Sequence, residues 1–508
     1  MSEFDQRSVG YRLGIAVDGD QVAGALMDAG NGVVAVTMPR LTGWPTADVA
    51  LTAVLGPLLA QVSGCTAADI ERVAFAFSQV DGLMAFPHTS TAPWRSWLGG
   101  RGLVAAVRLG AATTAVPPLA LWPPEFRDQL VLASTCVAGG ARLDGTELEP
   151  LDEAGLADFA RTVAGRVEAV AVTGVFASLE PGHELAAAAI LEKELGGAVR
   201  ILLSHEIGGT GLLERENATV LQAAMTGPAS RDAAALQDIL VAHGLGHAEV
   251  FVARNDGTTM ALDYAVTHPL ALCGGAAAAT VHGAALLAGE QDALVALTRA
   301  DGAAPVICAA TAGLPRLTSG HTTIAGVPTS LRMVAQVPAR RGDDPDSEGA
   351  VDSRALSEAI DRAKTAPADL PLLLGGPGAE ELAAALPPRL TGTVGVRCPP
   401  WAPAAAAIGV GAALVGGEAE RIMAVSDDAA ATREAVCETA RAAAVRAGAD
   451  PRRTRVRLVE ETPLSYLAEP AVALLARAEG PPRAGLAASG AAGDRRPTVP
   501  RLGGREGI

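Results

Sequence analysis

Three short apolar runs, residues 12–17, 22–27 and 33–37, open this chain with only tight turns between them. Gly19-Asp20 separates the first two, and Asp28-Ala29-Gly30-Asn31-Gly32 separates the last two. Strands joined by turns this short run antiparallel, because a parallel crossover needs a dozen or more residues. The chain therefore starts as a meander. A fainter copy begins near residue 293, with a strand at 293–298, a turn at Asp301-Gly302, a strand at 305–310 and a turn at Gly313-Leu314-Pro315. Two such meanders, each at the head of a domain, imply one plan used twice.

Between them the patterning alternates. Leu156, Phe159 and Val163 have helical spacing, and 167–173 is an apolar run broken only by Glu168. Residues 184–195 read as a helix closed by Gly196-Gly197, with a strand at 199–203. Residues 232–243 read as a helix ending at Gly244, and 249–253 as a strand. Strand–helix–strand alternation argues for a mixed α/β fold. A chain of 508 residues is too long for one ordinary domain. The expected division is 11–200, 201–478 and a disordered tail over 479–508, where Gly, Pro and Arg lack apolar periodicity. Residues 339–353 are charged and are expected as an exposed loop.

The formal net charge is -16, which repels a phosphate backbone and argues against nucleic-acid binding. Residues 1–10 carry Glu3 and Asp5 without an apolar core, unlike a signal peptide. Residues 269–289 are mostly Ala and Gly with His282 among them, so a close-packed internal helix is expected, not a membrane span. The expected location is the cytoplasm. Six cysteines form no CxxC pair and are expected as small buried side chains, with no zinc or other metal site.

Several polar groups are candidates for chemistry. Ser204-His205-Glu206, followed by Glu214-Arg215-Glu216-Asn217, reads either as a substrate-side acid/base cluster or as a capping and ion-pair network between domains. Asn255, Asp256 and Gly257 follow a strand, where α/β ligand sites gather, and read equally as a tight turn. Gly375, Gly376 and Gly378 follow another apolar run. His243 and His247 straddle Gly244, so one helical face cannot carry both to a metal. Ser465 and Tyr466 have no activating partner in the pattern. The small residues of 404–415 suit a close crossing of two elements.

Seven collinear segments resemble the A-type subunit of the hydantoinase/5-oxoprolinase family. They are LEPLDEAGL (148–156), LSHEIGGTGLLERENATVLQAA (203–224), NDGTTMALDYAVTHPL (255–270), ATVHGAALLAGEQDALV (279–295), IAGVPTSLRM (324–333), AIGVGAALVGGEAERI (407–422) and ETPLSYL (461–467). The resemblance implies an actin/sugar-kinase-like duplication of two RNase H-like domains, with MgATP between them. It implies ATP-dependent opening of a cyclic amide, in company with a B-type subunit. The expected partner is that subunit or a second copy of the chain.

In this family each phosphate loop resembles D-x-G-G-T-x-T-D. Its glycines admit backbone N–H groups to a phosphate, its threonines donate to the phosphate oxygens, and its aspartates hold Mg²⁺. In the first loop of this chain Ala16 replaces the leading aspartate and Asp18 the first glycine. Asp20 and Val22 replace the threonines, Ala23 replaces the last aspartate, and only Gly19 survives. Asp18 and Asp20 read either as a cation site or as a solvated turn. The second loop spans Leu297 to Ala304, with Leu297 for the leading aspartate and Asp301 and Gly302 within it. The glycines at 375–378 stand where the family's adenosine-contacting loop is expected. Three functions stay open: a cyclic-amide hydrolase subunit with eroded phosphate loops, a non-catalytic paralogue used for binding or assembly, and a ketone-carboxylase-type subunit.

Overall fold

A computed structural model describes residues 10–42, 45–77, 103–110, 115–299, 304–318, 322–339, 353–364, 366–424, 429–464 and 471–483. The opening meander forms as expected, with β1 (Tyr11–Asp18), β2 (Gln21–Met27) and β3 (Val33–Thr37) as antiparallel neighbours. Helix α1 (Ala47–Gln61) covers one face through Leu51, Val54 and Leu58, and β4 (Ile70–Phe77) returns parallel to β1.

The chain then leaves this sheet and builds another. β5 (Val104–Leu109), β6 (Val131–Val137), β7 (Ala169–Gly174) and β8 (Arg200–Leu203) are all parallel, in the order β6-β5-β7-β8. Every residue of β5 and β7 is buried, as expected for strands covered on both faces. Helices α2 (Glu153–Val163) and α3 (Gly182–Leu195) cover one face. A short helix, α4 (Ser204–Ile207), leads into α5 (Leu212–Ala242), whose first half covers the other face. The far end of α5 packs into the first sheet's core through Ala233, Leu236 and Leu240. Only residues 232–243 of this helix are legible as helical. Arg215, Glu216, Asn217 and Gln222 break the apolar period, yet all four are buried.

β9 (Glu249–Ala253) re-enters the first sheet parallel to β4, and β10 (Thr259–Ala261) turns back beside it. After α6 (Gly275–Ala288) comes the second meander, β11 (Ala293–Leu297), β12 (Val306–Thr311) and β13 (Leu314–Pro315). β14 (Leu370–Gly375) lies parallel to β11 and β15 (Thr393–Arg397) parallel to β14. Helix α7 (Ala405–Ala412) then leads to β16 (Val415–Ala424), β17 (Arg455–Pro463) and β18 (Ala471–Gly480). These complete a nine-stranded sheet of order β17-β18-β16-β10-β9-β4-β1-β2-β3. Its stretch β3-β2-β1-β4-β9 has the order and strand directions of β13-β12-β11-β14-β15. Strands from both sides of residue 200 share the nine-stranded sheet, because the four-stranded sheet is inserted between β4 and β9.

Helices α6 and α7 cross between the two meander sheets. A Cβ on Gly283 would lie 1.9 Å from the Ala405 carbonyl oxygen, and one on Gly409 would lie 1.9 Å from that of Ala279. Only glycine admits backbone that close. Among the described residues no helix is long and apolar enough to cross a membrane, and 275–288 is the internal helix its composition suggested. The ordered chain continues past the expected end at 478. β18 runs to Gly480, and the Arg483 N–H still donates to Gly448 O at 2.9 Å, because the turn at 448–450 receives this segment. Residues 484–508, and most of the loop expected at 339–353, lie outside the described residues.

Candidate functional site

The turn between β1 and β2 pairs Asp18 with Gln21 and places Gly19 at φ 65°. The segment after β3 folds back on this turn. Leu41 N–H donates to Asp20 O at 2.8 Å, Val22 N–H donates to Pro39 O at 3.2 Å, and Gln21 bridges Arg40. This return brings the Arg40 side chain beside Asp18. Both line a cleft of about 300 Å³, closed on the opposite side by Pro377, Pro403 and Ala406. The cleft thus lies between the first meander and the elements that flank the second. Among the described residues the Arg40 guanidinium makes no hydrogen bond or ion pair.

The loop after β14 meets the start of the second turn. Thr298 N–H donates to Gly375 O at 2.9 Å. Gly376 has φ 101°, and a Cβ there would lie 2.6 Å from Thr298 O. Its N–H donates to Ala402 O at 2.9 Å, so this glycine serves packing and its amide is already engaged. Gly378 adopts φ 84° beside the Arg299 carbonyl. Asp18 and Pro377 thus line one cleft, and the loop that carries Pro377 packs on Thr298 and Arg299. Asp301 and Gly302 lie outside the described residues.

The chemistry of this donor set is poor for a metal–triphosphate. Ala16 and Leu297, where aspartates are expected, are each 6% exposed and offer only methyl groups. Ala23 replaces the third carboxylate and is part of the cleft wall. Among the described residues Asp18 is the one carboxylate lining the cleft, where it would repel a polyanion. Mg²⁺ requires oxygen ligands in near-octahedral array, which these residues do not supply. Among the described residues no group of three His, Cys, Asp or Glu side chains could hold a metal ion. His243 Nε2 instead lies 2.9 Å from Asp48 Oδ1.

The turn Asn255-Asp256-Gly257-Thr258 is closed on itself. Asp256 Oδ1 accepts from Thr258 N at 3.0 Å and from Thr258 Oγ1 at 2.5 Å. Burial pushes the Asp256 carboxyl up, but the Arg254 charge and the Thr258 donors outweigh it and hold it below the ordinary range. Asn255 Nδ2 donates to Arg332 O, and a Cβ on Gly257 would lie 2.6 Å from Pro315 Cδ. Asn255 thus ties the turn to the segment around 332, and Gly257 packs against Pro315.

His205 and Glu206 lie on α4, at the carboxyl end of β8. His205 is held by Glu184, a residue on α3 that sequence patterning passes over as an ordinary first-turn acid. Glu206 is exposed. Nearby, Arg332 Nη2 donates to Glu420 Oε1 at 2.8 Å, and burial raises the Glu420 carboxyl although the Arg332 charge opposes it.

Residues 122–195 match the family model of the hydantoinase/oxoprolinase N-terminal region. No curated protein matches the chain. Among solved structures, the chain is similar to the ATP-dependent caprolactamase from Pseudomonas jessenii, with 15% identity over 92% of this chain and 87% of that one, at a TM-score of 0.63. It is also similar to the nucleotide-free acetone carboxylase from work on ATP-dependent acetone carboxylation, with 14% identity over 93% and 88% and a TM-score of 0.57. At these identities the likeness is one of fold.

Proposed function

We propose that this chain, whose residues 122–195 are a hydantoinase/oxoprolinase N-terminal region, is the A-type subunit of an ATP-dependent assembly that opens a cyclic amide. Its own cleft, in the isolated chain, holds MgATP poorly. The fold supports the first half of this reading, since both similar structures are of ATP-dependent enzymes. The repeated strand order around β1 and β11 supports an actin/sugar-kinase-like duplication of two RNase H-like domains, with the inserted parallel sheet as an addition to the first.

The observation that carries the second half is the buried, carboxylate-free side chains at Ala16 and Leu297. A lost hydrogen bond to a charged group costs roughly 1.5–3 kcal/mol, and each 1.4 kcal/mol or so is a tenfold change in affinity. Several such losses lower affinity by orders of magnitude. Asp18 adds like-charge repulsion, which Arg40 on the same wall of the cleft offsets in part. No step of a phosphoryl transfer is assigned to these loops. The chain then contributes the scaffold and the surface on which a B-type subunit, or a second copy of the chain, assembles.

Co-expression with a B-type subunit of the hydantoinase/oxoprolinase family tests the reading, with 5-oxoproline and hydantoin as probes. A stable complex whose ATP consumption rises with either probe is the expected result. A complex without amide-dependent ATP consumption favours the non-catalytic assembly role. Consumption driven by a ketone and bicarbonate favours the carboxylase-type reading, which the likeness to acetone carboxylase supports. Absence of any complex, with a monomeric chain on sedimentation, overturns the subunit reading.

A further inference from the structure

Outside the cleft, the densest polar chemistry sits at the carboxyl ends of β7 and β8. Glu184 is 1% exposed, and its carboxylate has a donor on every side. Gly174 N–H donates to Oε1 at 2.7 Å and Ser204 Oγ donates to Oε1 at 2.5 Å. His205 N–H donates to Oε2 at 3.0 Å, and His205 Nδ1 lies 2.7 Å from the same oxygen. Arg215, wholly buried, fixes the set from behind. Its Nε donates to Ser204 Oγ at 3.0 Å, while Nη1 and Nη2 donate to Gly209 O and Gly174 O at 2.9 and 2.7 Å.

An ionised carboxylate can only accept, so the proton of this pair sits on Nδ1 and the lone pair on Nε2. The imidazole is 20% exposed, and among the described residues Nε2 has no hydrogen-bond partner. A carboxylate that merely joined the ends of β7 and β8 would need the two amides and Ser204, and no imidazole. The location also matters, since ligands of parallel α/β sheets bind outside the carboxyl ends of the strands.

We propose that Glu184 and His205 form a proton-transfer dyad, in which His205 Nε2 takes a proton from a neutral O–H or N–H group of a small molecule bound at the carboxyl edge of the inserted sheet. Glu184 is the positioning residue. The O–H or N–H bond breaks, its electron pair stays on the substrate atom, and the proton passes to Nε2. The resulting imidazolium is balanced by the Glu184 carboxylate, and no redox partner is required.

The charges around the ring select a neutral ligand. Glu206 stands on the same helix, and Glu420 of β16 borders Gly208 and is tied to Arg332. Arg215 of α5 faces Ser204, not the ring. His183, next to Glu184 in sequence, is turned away, its Nδ1 accepting from Gly140 N–H at 2.9 Å and its Nε2 lying 3.0 Å from Glu147. An anionic substrate would meet two carboxylates here. The dyad does not depend on the cleft at Asp18, and either can fail alone.

The test uses the full chain and p-nitrophenyl acetate, an activated ester that an accessible imidazole cleaves through a free lone pair on its ring nitrogen. Wild type is expected to release p-nitrophenolate faster than buffer, with a rate that rises with pH through one ionisation. His205→Gln, which has no imidazole lone pair, is expected to lower the protein-dependent part of that rate by at least about tenfold. Glu184→Gln is expected to lower it and to alter the pH profile, because an amide no longer dictates the tautomer, while His243→Gln leaves it unchanged. A wild-type rate equal to buffer, or a His205→Gln rate equal to wild type, overturns the proposal. Nitrogen-15 spectra of the wild-type histidines read the tautomer directly, independent of how well the Glu184 variant folds. A His205 ring protonated at Nε2 and bare at Nδ1 in its neutral form also overturns it.

Discussion

Replacing Glu216 by alanine strips the partner from one of the two most deeply buried arginines among the described residues. Arg108, on β5, is 0% exposed and Glu216, on α5, is 2% exposed. The pair is bidentate, with Arg108 Nε donating to Glu216 Oε1 at 2.8 Å and Nη2 donating to Oε2 at 2.5 Å. Nη1 donates to Val116 O at 2.6 Å, and Leu119 N–H donates to Glu216 Oε2 at 3.3 Å. Glu216→Ala leaves two guanidinium donors and a full charge without compensation. Two charge-assisted hydrogen bonds amount to about 3–6 kcal/mol, and breaking a buried pair from one side costs about 3–5 kcal/mol. The expected loss is therefore about 3–5 kcal/mol.

Trp122 provides the reporter. Its Nε1 donates to Asn217 Oδ1 at 2.8 Å, one residue from Glu216. In a background with the other four of the five tryptophans changed to Phe, urea titration by fluorescence follows this region alone. Arg108→Met combined with Glu216→Leu is expected to destabilise less than Glu216→Ala alone, because it removes both charges and refills the space. A loss under about 1 kcal/mol in the single variant, or a double variant worse than the single, would refute the reasoning.

Gly409→Ala is expected to destabilise the protein by at least about 2 kcal/mol, read as a lowered midpoint in chemical denaturation, since the new Cβ would lie 1.9 Å from Ala279 O. An unchanged midpoint would show that α6 and α7 separate freely. His268 stacks on Tyr264 at 3.9 Å between centroids, and burial, aided by Arg254 and Arg446, pushes its pKa down from 6.5 to about 4 against the Tyr264 carbonyl hydrogen bond. The unfolded chain takes up a proton near pH 6.5 while the folded one resists until about 4, so stability falls as pH drops through this window, by up to about 3 kcal/mol. His268→Phe is expected to flatten that part of the stability–pH curve, and an unaltered slope counts against the assignment.

The meanders were legible because Gly19-Asp20 and the turn at 28–32 leave no room for a crossover. The parallel strands β5 and β6 were not, since Arg108 interrupts the apolar run of Val104–Leu109 and its partner Glu216 comes from far along the chain, while Ser134 and Thr135 interrupt Val131–Val137. For the same reason α5 hid its first half. Of the cleft, the loop positions at 18–20 and 375–378 could be read from glycine and aspartate spacing. Arg40 could not, because only the return of the chain after β3 brings it beside Asp18. Glu184 resembles any acid in a helix first turn until β7, β8 and α5 surround it with donors.

Calorimetric titration of the isolated chain with MgATP tests the central claim most directly. With methyl groups at Ala16 and Leu297 and, among the described residues, one carboxylate at Asp18, the expected result is no saturable binding up to millimolar ligand. Micromolar affinity that requires Mg²⁺ and disappears in Asp18→Ala would contradict the account, and would show that the cleft holds its metal through a rearranged set of ligands.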